Sequence, residues 1–285
     1  MRSALISSVL AALALPRGLL AAPSTPAVVE ALSFTPPHST NSSLEARQNT
    51  IDLNNMKYAI EFAKAAYCNN DASQVGTKVT CGNNACPSLG LANIVNYAHL
   101  KIDFTTAEAD DLCRGCKISY GYRKAWTQTQ GAIFNAINRA RAQFPGYYVI
   151  CTGHSAGGAL ATISAAYLRR AGIVADIFSF GSPRLGNNDF ANFVSAQSPN
   201  QGRNYRVTHY DDPVPSLPAS LFGLAHIAPE FWLSRKDAST MDYPLNEIQM
   251  CWGIKPSGCR ASKGLSLNFD AHSFYFGKVS ACYRG

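Results

Sequence analysis

Tyr147-Tyr148-Val149-Ile150-Cys151-Thr152-Gly153-His154-Ser155-Ala156-Gly157-Gly158-Ala159-Leu160-Ala161 is the stretch that decides how this chain folds. Its first five residues are aromatic, β-branched or apolar and suit a buried strand, whereas Ala156 to Leu168 holds no helix breaker beyond the first-turn glycines. Between them, Gly153-His154-Ser155-Ala156-Gly157 predicts a sharp strand-to-helix turn with a serine at its tip. Glycine is expected on both sides of such a turn, because side chains at Gly153 and Gly157 would collide with neighbouring backbone. The Ser155 hydroxyl then points out of the sheet. The Ala156 amide, at the N-terminus of the helix, aims where an oxyanion would form.

Outward from this turn the chain alternates helical and extended patterns. Trp126, Ile133, Phe134, Ile137 and Phe144 recur at helical spacing before it, and Ile173 to Phe180 is a short, mostly apolar run stopped by Gly181-Ser182-Pro183. Tyr205-Arg206-Val207-Thr208-His209 is a further strand. Strands separated by helices predict an α/β fold, a central mostly parallel sheet flanked by helices, with its chemistry in loops at the carboxyl ends of the strands. No internal repeat is present.

A serine hydroxyl is a poor nucleophile at neutral pH and needs a base, which in turn needs a group to orient it. Asp211-Asp212-Pro213-Val214-Pro215 follows the Tyr205 strand and offers the acid. Phe269-Asp270-Ala271-His272-Ser273-Phe274-Tyr275-Phe276-Gly277 offers a histidine near the C-terminus, and the order Ser, Asp, His is that of α/β-hydrolases. On spacing alone His209 and His226 compete with His272.

Composition bounds the rest. The 285 residues are 47% hydrophobic and 15% charged, ample for one large core. The net charge of +7 is spread thinly, with no basic cluster of the kind that binds nucleic acid. At the N-terminus, Arg2 precedes the apolar run Ala4 to Leu15, and Ala21-Ala22 suits a cleavage site, so residues 1–22 read as a secretory signal. Pro16 and Arg17 cut that run short of the roughly 20 apolar residues a membrane span requires. Residues 23–47 are rich in Ser, Thr and Pro and contain the acceptor triplet Asn41-Ser42-Ser43, which predicts a disordered, glycosylated propeptide ahead of a domain at 48–285. Nine cysteines behind a secretory signal predict disulfides. Spacing suggests Cys81 with Cys86 and Cys113 with Cys116, a long-range Cys68–Cys282 bridge and Cys251 with Cys259, leaving Cys151 a buried thiol. Cys113-x-x-Cys116 has no second half to complete a zinc set, so no metal is expected. No cofactor is implied, and nothing reports the oligomeric state.

Taken together, Thr152 to Ala161, Phe178 to Asn187, Val207 to Pro215, His226 to Trp232 and His272-Ser273-Phe274-Tyr275-Phe276-Gly277 resemble the secreted fungal class 3 lipases, a family of α/β-hydrolases that includes triacylglycerol lipases and feruloyl esterases. The resemblance covers most of the chain from Asp52. It selects Asp212 over Asp211 and His272 over its rivals, and the family's bridges match the proposed cysteine pairs except Cys251 with Cys259. In one respect the chain departs from the family. A strand ending in F-R-G followed by Ser or Thr, which would supply the second oxyanion donor, is missing, so one or more strands before residue 88 are expected to be absent. Ser88 takes the place of the donor, and Leu91, Ile94, Val95, Tyr97 and Leu100 follow as the face of an apolar lid. The resemblance thus implies a secreted carboxylic-ester hydrolase working on lipid esters at an oil–water interface, first among them triacylglycerols. The alternatives are a feruloyl or other aryl esterase, and a catalytically impaired hydrolase-fold binding protein or truncated gene model.

Overall fold

The computed structural model describes residues 6–8, 12–16, 42–69, 72–74, 76–89, 98–100, 105–145, 147–236 and 243–279. Its main sheet has six strands: β1 (Ala12–Pro16), β2 (Tyr147–His154), β3 (Ala175–Phe180), β4 (Asn204–His209), β5 (Glu230–Leu233) and β6 (Ile248–Cys251). They lie in the order β6-β5-β4-β3-β2-β1. The four central strands run parallel, and β1 and β6 close the edges antiparallel.

Side chains alternate across the pleat of this sheet. Val149, Cys151 and Ile177 face α2 (Tyr120–Gln143) and α3 (Ala156–Arg170), packing with Trp126, Ile133, Ile137 and Ile163. Ile150, Phe178, Phe180 and Val207 face the opposite way onto α1 (Ser42–Cys68), against Met56, Ile60 and Ala63. Both faces being covered explains why the central strands are apolar runs rather than half-polar ones. Phe144, expected on the apolar face of α2, is instead the residue that ends the helix and lies exposed. The periodicity runs out one turn before it.

Two elements differ from expectation at the N-terminal side. α1 begins at Ser42, so the last six residues of the expected disordered propeptide are helical. Leu44, Glu45, Ala46 and Arg47 are all strong helix formers and continue into the amphipathic segment that follows. On the far side of β2, the position that a missing strand would leave vacant is taken by β1, with Ala12 opposite Cys151 and Pro16 opposite Tyr147. β1 comes from the apolar run read as a secretory signal, and a short apolar run has the same composition whether it is exported or paired. Among the described residues no helix is long and apolar enough to cross a membrane.

Candidate active site

Ser155 follows the carboxyl end of β2 and has φ 56° and ψ −128°, a conformation side chains normally avoid. Such strain costs on the order of 1–3 kcal/mol and persists only where surroundings impose it. Here they are visible. The Ser155 amide donates to the Phe180 carbonyl at 2.8 Å and its carbonyl accepts from the Gly158 amide at 2.9 Å. A Cβ on Gly153 would stand 2.2 Å from the Gly157 carbonyl oxygen, so strand and helix cross too closely for any residue but glycine. Gly158 is a further tight position: its Cβ would lie 3.0 Å from that of Ser182. Ala156, buried, opens α3.

His272 ends a four-residue helix, Phe269–His272, whose N-terminus is capped by Asn268 accepting from the Ala271 amide. Its Nδ1 is 2.9 Å from Oδ2 of Asp212, which is fully buried. A carboxylate only accepts, so Nδ1 carries the proton and Nε2 is left with a lone pair. Asp212 is itself held on every side: Oδ1 accepts from the Val214 amide at 2.9 Å, Oδ2 also accepts from the Tyr275 hydroxyl at 2.5 Å, and its carbonyl accepts from Arg260 Nε at 2.5 Å. Burial and the Asp212 charge push the Tyr275 phenol well above its usual range, keeping it a donor. Asp211 turns away to accept from Ser266 and Asn268, anchoring the segment that leads into His272.

The serine and the histidine–carboxylate pair meet at the end of β3. Phe180 accepts from the Ser155 amide, and the next residue, Gly181 at φ +57°, leaves room for only a hydrogen. A Cβ there would be 2.8 Å from the Tyr275 hydroxyl, 3.0 Å from Asp212 Oδ2 and 3.1 Å from His272 Cε1. Among the described residues no hydrogen bond joins the Ser155 hydroxyl to His272, and such nucleophile–base contacts are often long until substrate arrives.

His154, inside the turn, braces His272 from below. Its Nε2 is 2.9 Å from the His272 carbonyl and its Nδ1 2.7 Å from the Tyr67 hydroxyl. The carbonyl accepts, so Nε2 bears the hydrogen and Nδ1 takes the tyrosine's, which assigns the neutral tautomer. Burial first, and His272 second, hold its pKa well below 6.5. The rival histidines are bound to main chain, His209 through Nδ1 to the Ala271 carbonyl at 2.8 Å and His226 through Nε2 to that of Pro215 at 2.7 Å. Gly181 and Tyr275 stood inside the quoted motifs without a role, and Tyr67 stood in none. Only the hydrogen-bond demand of a buried aspartate hints at them.

Ser88 sits apart from this network. Its amide donates to Glu61 Oε2 at 2.8 Å and its hydroxyl to Oε1 at 3.1 Å, so both donors it offers are engaged by α1. Leu91, Ile94, Val95 and Tyr97 lie outside the described residues; Leu100 belongs to a three-residue strand, Ala98–Leu100, paired with Ile6–Ser8. Disulfides join Cys81 to Cys86, Cys113 to Cys116 and Cys251 to Cys259. Cys68 is disulfide-bonded too, while Cys282 lies outside the described residues. Cys151 is a buried thiol pushed up to about 12 by burial. Among the described residues no group of His, Cys, Asp or Glu is arranged to hold a metal ion.

The profile of the family Lipase (class 3) matches residues 90–222. The chain is 34% identical over 276 residues to secreted mono- and diacylglycerol lipase 1 of Fusarium solani, an alignment covering 84% of this chain and 81% of that protein. It is 29% identical over 272 residues to secreted mono- and diacylglycerol lipase A of Penicillium cyclopium, covering 82% and 87%. The crystal structure of the mono- and diacylglycerol lipase of Aspergillus oryzae superposes with a TM-score of 0.72 at 28% identity, over 81% of this chain and 98% of that one. On 34% identity across 84% of its length to a secreted mono- and diacylglycerol lipase, together with the profile match, this chain belongs to the class 3 lipase family.

Proposed function

We propose that this carboxylic-ester hydrolase is a secreted lipase of mono- and diacylglycerols working through Ser155, His272 and Asp212. In this reading the Ser155 oxygen attacks the ester carbonyl while His272 Nε2 takes its proton, and the Ala156 amide faces the developing oxyanion. The proton passes to the departing glycerol oxygen, leaving Ser155 acylated. Water, deprotonated by the same histidine, then releases the fatty acid. Asp212 fixes the tautomer and steadies the imidazolium. The observation that carries the proposal is the His272–Asp212 contact of 2.9 Å beside a serine held at positive φ.

The substrate assignment rests on the activity named for the relatives, partial glycerides where the sequence motifs alone suggested triacylglycerols. An oil surface is the natural partner, because Leu265 and Leu267 are 98% and 88% exposed a few residues before His272 and Phe269 is exposed with them. Secretion follows the signal at 1–22, with residues 23–47 removed as a propeptide. A second reading, a hydrolase-fold protein that binds lipid esters without turning them over, is favoured by Ser88, whose donors are committed to Glu61.

A serine-directed phosphonate probe separates the two. Labelling of the natural protein but not of Ser155→Ala, with both folded by circular dichroism, is the expected result, and turnover of diacylglycerol emulsion should fall at least ~10⁴-fold in the variant. Absence of labelling in folded natural protein overturns the enzymatic reading. Faster turnover of methyl ferulate than of any glyceride overturns the substrate class.

A further inference from the structure

Beside the Asp212 loop, which Arg260 touches, lies a half-open cavity of about 260 Å³ lined by Arg184, Arg206, His226, Glu230, Lys255 and Arg260, among others. Four of these six are cationic side chains and one is a carboxylate. Glu230 is already saturated: Oε2 takes Arg206 Nη2 at 2.9 Å, and Oε1 takes the Thr208 hydroxyl at 2.5 Å and the Arg260 amide at 3.2 Å. It pairs directly with Arg206 and its charge also reaches Arg184 and Arg260. Arg184 Nη1 is held by the carbonyls of Ser216 and Pro218, and Arg260 by those of Asp212 and Gly264. Carbonyl oxygens accept hydrogen bonds and supply no countercharge. His226 adds none, being kept neutral by burial and by the neighbouring arginines.

Arg260 is 97% buried, and its Nη2 is a buried donor with no partner. A buried guanidinium donor left without an acceptor is expensive, even with the Asp212, Asp211 and Glu230 carboxylates acting on its charge. Burial lowers the pKa of Arg184, the charges of Arg206 and Arg260 lower it further, and Glu230 acts against them. Lys255 is exposed at the rim, where the Ile254 carbonyl accepts from the His226 amide. Guanidinium forks match the spaced oxygens of an oxyanion, and a cavity this size is too small for an acyl chain.

We infer that this cavity is a binding site for a small inorganic oxyanion, phosphate or sulfate, held by Arg184, Arg260 and Lys255. Occupancy braces the loop that carries Asp212, since Arg260 touches both the cavity and the Asp212 carbonyl. The inference stands apart from the proposed reaction, because binding is read without substrate.

The full chain is titrated with inorganic phosphate, and in a separate arm with sulfate, following its melting temperature and binding heat against sodium chloride at equal ionic strength. A saturable rise in melting temperature with either oxyanion and none with chloride is expected. Lys255→Gln, at an exposed position that leaves the fold intact, should weaken the apparent Kd about tenfold, and Arg184→Gln at least as much. Equal responses to oxyanion and chloride overturn the inference. So does an unchanged Kd in Lys255→Gln, whether or not Arg184→Gln folds.

Discussion

The two sides of β2 are built differently. Downstream of it, β3, β4 and β5 run parallel, and the loops after their ends are tied to one another by buried hydrogen bonds through Phe180, Asp212, Tyr275 and His154. Upstream, its neighbour is the short antiparallel β1, and Ser88 hangs from α1 through Glu61. Ser155, His272 and Asp212, the proposed catalytic residues, therefore stand on a continuous scaffold, whereas Ser88, the proposed second oxyanion donor, does not. The contrast teaches that precision in such a site comes from strands whose ends share partners, not from having the right residue type nearby.

The sharpest way to break the downstream side is to remove the charge that orients the base. Asp212→Asn should cut kcat on the order of 10⁴-fold with little change in KM, since the amide favours the wrong tautomer of His272. Steady-state kinetics on diacylglycerol checks this, and a loss below tenfold would detach Asp212 from the reaction. Next is the crossing of strand and helix. Gly153→Ala places a Cβ on the Gly157 carbonyl and should cost about 3 kcal/mol or more. For a chain of this size that lowers the melting temperature by roughly 10 °C. An unchanged melting temperature would mean that the turn is not held as described.

Acid should weaken the same side by a smaller amount. Burial lowers the pKa values of His154, His209 and His226 below 6.5 in the folded chain, so the unfolded chain takes up protons that the native one refuses. Stability is then full above that pH and is lost as pH falls through it. Melting curves from pH 7.5 to 5 should show this decline, and His226→Gln, which keeps a donor for the Pro215 carbonyl, should flatten it. The smallest effect is expected upstream. Ser88→Ala should leave kcat within about threefold of the natural protein, where loss of a working oxyanion donor costs 10²- to 10³-fold. A fall of the larger size would show that Ser88 leaves Glu61 during turnover and would erase the contrast.

What could be read from sequence follows the range of the forces involved. The serine turn was legible because glycine sterics act within five residues, and the strands because an apolar run bounded by breakers has few other uses. His272 could not be separated from His209 and His226 by spacing, since contacts to the carbonyls of Ala271 and Pro215 exist only once distant segments meet. The family resemblance supplied that choice. The bracing pair of His154 and Tyr67 spans 87 positions and carries no local signal. The pairing of β1 with β2 was not foreseen for the converse reason, because an apolar run that satisfies the local rule for an export signal also satisfies a distant strand.

That strand has a consequence for how the molecule matures. Cleavage after Ala22 would carry β1 away and strip the amides and carbonyls along one flank of Tyr147 to Cys151 of their ladder. The freshly trimmed molecule would carry an adhesive seam directly behind its nucleophile, and like other uncapped sheets it would tend to zip onto a neighbour. Residues 12–16 would then have served as a temporary sheath for that flank.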